Sequence, residues 1–249
     1  MSTATTRTAV VTGASKGLGA GIALALAEAG HAVVVNYRSD AEGASRVVDQ
    51  IRAAGGRAVA VAGDVSLPAD VRALFEEARV TFGPVTILVN NAGIAAFAPL
   101  ETITETDYRR QMDTNFWSVV LTTQALAAQE DVTDGAIVNV STGGTYQHPA
   151  FASLYVATKS AMEAFTVISA KELGPRGIRV NAIAPGPSDT DGTRSSGFVG
   201  SDMEAASIAA TPLGRSGRPD DYGSVVAFLT SDGARWVTGD VLLVSGGQR

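Results

Sequence analysis

Two side chains that can carry out acid–base chemistry lie four positions apart in the stretch SLYVATKSA, residues 153–161. Small residues dominate this stretch and predict a helix, on which positions i and i+4 are neighbours, so Tyr155 and Lys159 share one face. A phenol with an ordinary pKa near ~10 is too weak a base at neutral pH, but an adjacent ammonium favours the phenolate and lowers that pKa. The pair predicts proton transfer to or from an oxygen, with an ordinary surface pair as the alternative.

A glycine-rich segment, TGASKGLG at residues 12–19, separates a predicted strand from a predicted helix. Gly13, Gly17 and Gly19 carry no side chain that blocks a ligand, and the helix N-terminus presents free backbone N–H groups. Three glycines also suit tight turns and close helix packing. Their place between a strand and a helix favours binding of a nucleotide pyrophosphate.

The second predicted strand, which ends VVVNYRSD, is where a dinucleotide-binding protein reads the adenosine ribose. An acidic residue there accepts a hydrogen bond from the 2′-hydroxyl of NAD, but this strand ends with Asn36 and Arg38. Arg38, with Lys16 as a second cation, suits the 2′-phosphate of NADP. Asp40 lies close by and keeps NAD(H) open as the less favoured cofactor. The strand end therefore predicts NADP(H).

These side chains need a scaffold, and short β-branched runs alternate with longer helical stretches along the chain. A parallel sheet covered by helices on both faces produces this alternation. The predicted strands are TAVVTG, HAVVVNY, RAVAVAGDV, VTILVNNAG, GAIVNVS, IRVNAIAPG and DVLLVSGG. The predicted helices follow the glycine segment and lie near 41–54, 69–82, 105–128, 152–173 and 219–230. No linker or repeat interrupts the pattern, so residues 1–249 are predicted to form a single α/β domain.

One segment, near 187–215, breaks the alternation with a polar, glycine-bearing sequence and no clear strand. Long loops in compact domains are often lids or binding loops, and we predict a substrate lid here, with a disordered surface loop as the alternative. Its apolar residues suit a partly apolar substrate or packing against the helices: Phe198, Val199, Met203 and Ile208.

The composition excludes several classes of function. A net charge of −6 argues against a general nucleic-acid surface, and the absence of cysteine excludes disulfides and thiolate catalysis. The two histidines, His31 and His148, show no ligand spacing, so no metal site is predicted. There is no signal-peptide pattern and no apolar run long enough to span a bilayer. We expect a cytoplasmic protein without a nucleic-acid or membrane partner.

The segments TGASKGLG, GDV, NNAG, TN, YVATK and APG, in this order and spacing, resemble the short-chain dehydrogenase/reductase family over nearly the whole chain. The resemblance implies a Rossmann-type three-layer domain, with seven parallel strands, helices on both faces and a substrate site fused to the cofactor site. It also suggests a small-molecule carbonyl or alcohol substrate and a homotetramer. The helices near 105–128 and 152–173 would form one interface, and the C-terminal DVLLVSGGQR another.

The resemblance further implies which residues contact the cofactor. Asp64 accepts from the adenine amino group, and Val65 flanks the adenine ring. The first asparagine of NNAG braces the sheet, and Pro185, Gly186 and Thr190 hold the nicotinamide carboxamide. The full set of expected cofactor contacts is Gly13, Ser15, Lys16, Gly17, Leu18, Gly19, Arg38, Asp64, Val65, Asn91, Ala92, Gly93, Tyr155, Lys159, Pro185, Gly186, Ser188 and Thr190.

The catalytic roles also come from the resemblance. Tyr155 is the acid/base, while Lys159 lowers its pKa and binds the nicotinamide ribose. Asn115, in MDTNFWS, supports a water-linked proton relay behind the lysine. The family normally has a carbonyl-polarising serine thirteen residues before the tyrosine, where this chain has Thr142, preceded by Ser141. Adjacent strand residues face opposite sides of a sheet, and the register favours Thr142, which keeps the hydroxyl and adds a methyl group.

Together these features predict an NADP(H)-dependent oxidoreductase that reversibly reduces a ketone. The sequence looks most like the 3-oxoacyl-carrier-protein reductase and glucose-dehydrogenase-like branches of the family. A 3-oxoacyl thioester or similar carbonyl therefore ranks first as substrate, and a sugar or cyclic alcohol second. A non-catalytic NADP(H)-binding sensor or scaffold is the alternative from another class, and the threonine in place of serine is the one feature in its favour.

Overall fold

The structure is a computed structural model and describes residues 6–249. Its strands are β1 (Thr8–Val11), β2 (Ala32–Tyr37), β3 (Arg57–Ala62), β4 (Val85–Asn90), β5 (Ala136–Val140), β6 (Arg179–Pro185) and β7 (Val241–Val244). Its helices are α1 (Gly17–Glu28), α2 (Ala41–Ala53), α3 (Pro68–Phe82), α4 (Glu105–Met112), α5 (Ser118–Ala127), α6 (Gly144–Gln147), α7 (Ser153–Leu173), α8 (Asp191–Ser195), α9 (Asp202–Ala209) and α10 (Pro219–Thr230).

The seven strands form one sheet in the order β3-β2-β1-β4-β5-β6-β7, and every neighbouring pair is parallel. This confirms the predicted single Rossmann-type domain. The strand order reverses between β1 and β4, and in open α/β sheets ligands bind beyond the carboxyl ends of the strands at such a point. Both the glycine segment and NNAG follow strands at this reversal.

Alternation along β1 divides the core into two layers. Ala9 and Val11 pack in the cluster that includes Ile22 and Val226, from α1 and α10, whereas Val10 packs in the cluster on the other face. That second cluster also takes in Leu74, Leu121 and Ala170, which belong to α3, α5 and α7 respectively. Because successive side chains of a strand point to opposite faces, each continuously apolar strand buries side chains in both layers.

The helix predicted near 105–128 contains an interruption that the sequence pattern did not reveal. It begins at the cap residue Thr104, whose hydroxyl accepts a hydrogen bond from Asp107 N–H, and it continues as α4 and α5. Between them, residues Asp113–Trp117 form a π-helical turn. Such a turn inserts one extra residue, and π turns are frequent at functional sites; this one carries Asn115.

The segment near 187–215, predicted to be a loop, contains the two short helices α8 and α9. Hydroxyl caps start both, because Thr190 accepts from Thr193 N–H and Ser201 accepts from Glu204 N–H. The same segment is tied to the sheet through a parallel bridge between Ser188 and Gly217. Within residues 6–249 no helix is long and apolar enough to cross a membrane.

Candidate active site

The glycine segment makes a narrow turn between β1 and α1. Gly13 and Gly17 have positive φ angles of 60° and 57°, a region that side chains with a Cβ rarely occupy. A Cβ atom on Gly13 would lie 2.9 Å from Ala92 Cα, and one on Gly19 would lie 2.5 Å from Gly13 O. The glycines therefore allow close backbone packing here, at the N-terminus of α1.

The NNAG segment, which begins at the last residue of β4, is hydrogen-bonded to this turn. Asn91 Nδ2 donates to Thr12 O at 2.9 Å and to Gly13 O at 3.0 Å. In return, Thr12 Oγ1 accepts from the N–H groups of Asn91 and Ala92. These bonds place the backbone of NNAG directly against the glycine turn, at the switch point of the sheet.

Asn90, the first residue of NNAG, lies in a buried chain of polar side chains across the sheet. Its Nδ2 donates to Asn139 Oδ1 at 2.8 Å, and its Oδ1 accepts from Thr122 Oγ1 at 2.7 Å. Asn139 in turn donates to Thr166 on α7. Asn90 thus ties β4 to β5 and α5, which agrees with the bracing role that the family resemblance implies.

The second strand ends with Asn36, whose side chain is buried and fully hydrogen-bonded within the protein. Its Oδ1 accepts from Gly13 N–H at 3.3 Å, and its Nδ2 donates to the carbonyl groups of Val61 and Gly63. Asn36 therefore holds the glycine turn to the end of β3, and it offers no free group to a ribose.

Arg38 and Lys16 are the two cations at this edge. The Arg38 side chain is 63% exposed and lies 3.7 Å from Asp64 Oδ2, while Lys16 is exposed at the start of α1. Burial opposes ionisation of Asp64, yet hydrogen bonds from Ser66 and the charge of Arg38 lower its pKa overall. Arg38 is thus accessible to a ligand anion, and in the protein alone its partner is Asp64.

Asp40 and Val65 complete the adenosine side of the site. Asp40 caps α2 by accepting from Gly43 N–H at 2.9 Å, and this bond leads the effects that lower the pKa of the carboxyl. Its carboxylate is therefore engaged at the helix start. Val65, expected to flank the adenine ring, is 5% exposed and packs in the core layer beside α3.

The loop expected to hold the nicotinamide begins at Pro185, the last residue of β6, and continues with Gly186. A Cβ atom on Gly186 would lie 2.8 Å from Ser245 Cα, so the loop passes tightly beside the end of β7. The Ser188 hydroxyl lies 2.7 Å from both Gly186 O and Tyr222 Oη, where it stabilises the loop from inside. The Ser188 hydroxyl is therefore used in hydrogen bonds within the protein.

Thr190 brings the 187–215 segment to the glycine turn. A Cβ atom on Gly17 would lie 3.6 Å from Thr190 Cβ, so the two segments are in contact. Asp191, the next residue, accepts from Gly17 N–H at 3.1 Å. Sequence reasoning missed Asp191, because nothing local relates it to a residue 174 positions earlier.

The three residues expected to carry the reaction converge at the ends of β5 and α7. Lys159 is 4% exposed, and its Nζ donates to Val140 O at 2.8 Å. Thr142, two residues after Val140, lies beside the Tyr155 phenol, whose pKa its hydroxyl lowers, and it accepts from Gly144 N–H at 3.2 Å. Ser141 instead donates to Glu163 at 2.5 Å. The hydroxyl beside the phenol is therefore that of Thr142, as the strand register indicated.

Burial controls the pKa of both catalytic candidates in the protein alone. It raises the pKa of Tyr155, and the hydrogen bond with Thr142 offsets part of that rise. It lowers the pKa of Lys159 from 10.5 to about 8, while the Glu163 carboxylate opposes that change. At neutral pH the phenol carries its proton and Lys159 is mainly charged. The lowering of the Tyr155 pKa by Lys159 stays a prediction for the complex with oxidised cofactor.

Asn115 lies behind the lysine, where the π turn points its side chain. Its Oδ1 accepts from Ile94 N–H at 2.8 Å, and its Nδ2 donates to Ile94 O and Thr158 Oγ1. A Cβ atom on Gly93 would lie 3.3 Å from Asn115 Oδ1 and 3.4 Å from Lys159 Nζ. A side chain at this position would therefore crowd both groups, and glycine lets the backbone of NNAG lie against Asn115 and Lys159.

The arrangement fits a dinucleotide. The glycine turn offers backbone N–H groups without side chains, two cations lie at the adenosine end, and a buried lysine and a phenol lie at the other end. Leu18 and Ser15 border the turn and are half-buried. In the described part of the chain, no group of three or more acidic or histidine side chains could hold a metal ion.

Comparisons with known proteins agree with this geometry. A family model described as enoyl-(acyl carrier protein) reductase matches residues 13–249. The chain is 51% identical over 243 residues to an uncharacterized oxidoreductase of Methylorubrum extorquens, covering 98% of both proteins. It is 41% identical over 244 residues to 3β-hydroxysteroid dehydrogenase 1 of Eggerthella lenta, covering 97% of this chain and 93% of that protein.

Two further similarities concern a curated reductase and a solved structure. The chain is 38% identical over 244 residues to 3-oxoacyl-[acyl-carrier-protein] reductase FabG of Staphylococcus aureus, covering 97% of this chain and 98% of that protein. A crystal structure of a short-chain dehydrogenase from Burkholderia cenocepacia, in complex with NADP, superposes with a TM-score of 0.90. The two are 35% identical, and 97% of each chain is covered.

Proposed function

The chain belongs to the short-chain dehydrogenase/reductase family of oxidoreductases, and from that premise we propose that it reversibly reduces a ketone to an alcohol with NADPH. The observation that carries the proposal is the convergence of Thr142, Tyr155 and Lys159 beside Gly93, on the edge of the sheet that also holds the glycine turn. A hydroxyl, a phenol and an ammonium are the groups that a carbonyl reduction needs beside a hydride donor.

A nicotinamide cofactor would supply the hydride when bound, and the protein's own residues supply the proton. Tyr155 carries a proton at neutral pH because burial raises its pKa, so it is prepared to donate to a carbonyl oxygen. Thr142 lies at the same phenol and directs its hydroxyl to the carbonyl oxygen. Lys159 holds the ribose and, through its charge, stabilises the phenolate that remains after the transfer.

Asn115 is proposed to support reprotonation of this site from solvent. Its two amide atoms are bonded to Ile94 and Thr158, so the side chain has a fixed orientation. Gly93 lies between Asn115 Oδ1 and Lys159 Nζ, since a Cβ atom there would be 3.3 Å from the first and 3.4 Å from the second. We propose that a water molecule bound at Lys159 Nζ links the ammonium to the backbone around Asn115 and carries the proton relay.

The preference for NADP(H) over NAD(H) is supported by three features of the adenosine end. Arg38 is exposed and only loosely paired with Asp64, so it is available to a 2′-phosphate. Lys16 adds a second exposed charge. The nearby acid, Asp40, is engaged as the cap of α2, and the strand-end residue Asn36 is buried. A relative of known structure was solved with NADP, which agrees with this preference.

Arg38→Ala tests the cofactor preference. We expect kcat/KM for NADPH to fall about 10- to 100-fold, because a charge-assisted hydrogen bond contributes about 1.5–3 kcal/mol, while kcat/KM for NADH stays unchanged. Arg46→Ala is the matched control, since Arg46 is an equally exposed arginine on α2, loosely paired with Glu42. Equal loss with both cofactors, or no loss with NADPH, would contradict the assignment.

For the substrate, we propose a 3-oxoacyl thioester or a similar ketone. The Phe97 ring meets Tyr155 edge-on, with 5.9 Å between the ring centroids, and Phe97 is 62% exposed. Phe151 is similarly exposed, and its carbonyl accepts from Ala98 N–H. These two side chains give the approach to the phenol an apolar character that suits an acyl chain.

A cyclic alcohol or ketone is the second candidate within the same chemistry. The edge-on aromatic ring at the phenol favours it, because a flat ring system stacks well against Phe97. A relative with 41% identity is named as a hydroxysteroid dehydrogenase. A sugar is favoured less, because this approach offers aromatic rings where a polyol needs hydrogen-bonding groups.

A sensor or scaffold that binds NADP(H) without turnover is the alternative from another class. The contact between the Thr142 hydroxyl and the phenol argues against it, because the threonine keeps the function of the usual serine. We also propose a homotetramer in the cytoplasm. Its support is the exposed apolar side chains on the two surfaces that the family resemblance assigns to interfaces: Trp117, Val167 and Ile168 on one, and Leu242 on the other.

A screen of NADPH oxidation separates these candidates. The purified protein is supplied with a 3-oxoacyl thioester, a cyclic ketone and a sugar-derived ketone, and absorbance of NADPH is followed. We expect the highest kcat/KM with the thioester. A higher value with the cyclic ketone would select the second candidate, and tight NADPH binding without turnover of any substrate would select the sensor.

A further inference from the structure

One carboxylate near the catalytic groups has no role in the mechanism above. Glu163 lies on α7, one helical turn beyond Lys159, and is half-buried. Its Oε1 accepts from Ser141 Oγ at 2.5 Å and lies 2.8 Å from Thr145 Oγ1. A carboxylate that accepts two hydroxyl hydrogen bonds makes stronger bonds than a neutral acceptor would.

The two hydroxyls bound by Glu163 stand on either side of Thr142 in the chain. Ser141 precedes it directly, and its side chain is almost fully buried. Thr145 follows it by three positions, and its hydroxyl also lies 2.9 Å from Thr142 O. Glu163 therefore holds the segment that carries Thr142 both before and after that residue, and it connects this segment to the helix that carries Tyr155.

The charge of Glu163 also acts on the lysine of the site. Lys159 is buried, and the carboxylate raises its pKa against the effect of burial. Tyr146 on α6 is another titratable group near the carboxylate. Burial raises its pKa, Glu163 and Asp240 add to that rise, and Arg249 opposes it. A carboxylate in this place keeps the ammonium protonated to a higher pH than burial alone would allow.

We propose that Glu163 is a positioning residue for the reaction: it fixes Ser141 and Thr145 so that the Thr142 hydroxyl stays at the Tyr155 phenol, and its charge supports the Lys159 ammonium. The inference rests on the proposed catalytic roles of Thr142, Tyr155 and Lys159. A brace without an effect on catalysis is the competing interpretation, and two substitutions distinguish them.

Glu163→Gln keeps an oxygen that accepts from the two hydroxyls but removes the charge. Glu163→Ala removes the acceptor oxygen and the charge. We expect Glu163→Ala to lower kcat about 10- to 100-fold, because small misplacements of reacting groups have effects of this size, with the Kd for NADPH within twofold of wild type. Glu163→Gln is expected to restore most of kcat at pH 7. The alkaline limb of its kcat–pH profile should nevertheless shift to lower pH, because without the Glu163 charge Lys159 loses its proton at a lower pH.

Glu172→Gln is the control, since Glu172 is an exposed carboxylate near the end of the same helix. Wild-type kcat and an unchanged alkaline limb in Glu163→Gln, together with unchanged kcat in Glu163→Ala, would overturn the proposal. If Glu163→Ala does not fold, the pH profile of Glu163→Gln decides alone. A wild-type protein that turns over no substrate would instead refute the proposed function. The two failures are distinguishable, because the wild-type assay tests the function and the Glu163 variants test only the role of that residue.

Discussion

Thr142 is the residue at which this chain departs from the pattern of its family. Its hydroxyl lies at the Tyr155 phenol and accepts from Gly144 N–H, while the neighbouring Ser141 points away to Glu163. The threonine methyl group restricts rotation about χ1, which favours one hydroxyl orientation. The threonine therefore preserves the hydroxyl that we propose contacts the carbonyl, and its methyl group narrows the space beside it.

Substitutions at this pair of residues distinguish the two hydroxyls. We expect Thr142→Ala to lower kcat about 10²- to 10³-fold, the usual cost of removing one donor to a developing oxyanion. Thr142→Ser should keep kcat within a few-fold of wild type, because it keeps the hydroxyl. Ser141→Ala is the matched control, and steady-state kinetics with NADPH and a ketone supply the measurement. A larger loss in Ser141→Ala than in Thr142→Ala would reverse the assignment.

At the scale of elements, the site depends on the contact between two loops that follow neighbouring strands. The glycine turn after β1 and the NNAG segment after β4 share the hydrogen bonds of Thr12 and Asn91. Gly19 lies at this contact, where a Cβ atom would be 2.5 Å from both Asn91 Nδ2 and Gly13 O. The turn and the segment can keep this spacing only with glycine at that position.

Gly19→Ala tests the contact. The added methyl group has to displace backbone, and overpacking of this kind costs about 1–3 kcal/mol of stability. We therefore expect a lower Tm in thermal denaturation and a higher Kd for NADPH. Gly174→Ala is the control, because its Cβ atom would meet nothing within 4 Å. A Gly19→Ala protein with wild-type Tm and Kd would show that the close approach is unimportant.

Most of the strands and helices could be predicted from the sequence, since these elements follow local patterns of apolar residues. The bounds of α10 agree with prediction because Pro219 starts the helix and its apolar positions are periodic. The π turn at Asn115 could not be predicted, because it has no distinct residue pattern. Glu163 and Asp191 were missed for a different reason: their partners lie 22 and 174 positions away, and only the folded chain brings them together.

At the scale of the whole molecule, α7 presents apolar side chains that residues 6–249 leave exposed. Ile168 is 55% exposed, and Val167 lies beside it. In the proposed homotetramer this face of α7 would pack against a second copy, as the family resemblance suggests.

Ile168→Asp is expected to dissociate the proposed tetramer, because it places an unpaired carboxylate in an apolar interface. Sedimentation velocity measures the result. Val80→Asp is the matched control, since Val80 on α3 is 74% exposed and lies outside the two proposed interfaces. Wild-type protein that sediments as a monomer would contradict the tetramer, as would an Ile168→Asp protein that sediments like wild type.

The central claim is that Tyr155 transfers the proton in an NADPH-dependent reduction, and one measurement tests it most directly. Ketone-dependent NADPH oxidation is compared between wild type and Tyr155→Phe, with Tyr146→Phe as the control for loss of a nearby tyrosine hydroxyl. General acid–base catalysis contributes about 10²- to 10⁴-fold, so we predict a fall in kcat of that size for Tyr155→Phe, with NADPH affinity retained. A Tyr155→Phe protein with the kcat of wild type would contradict the account.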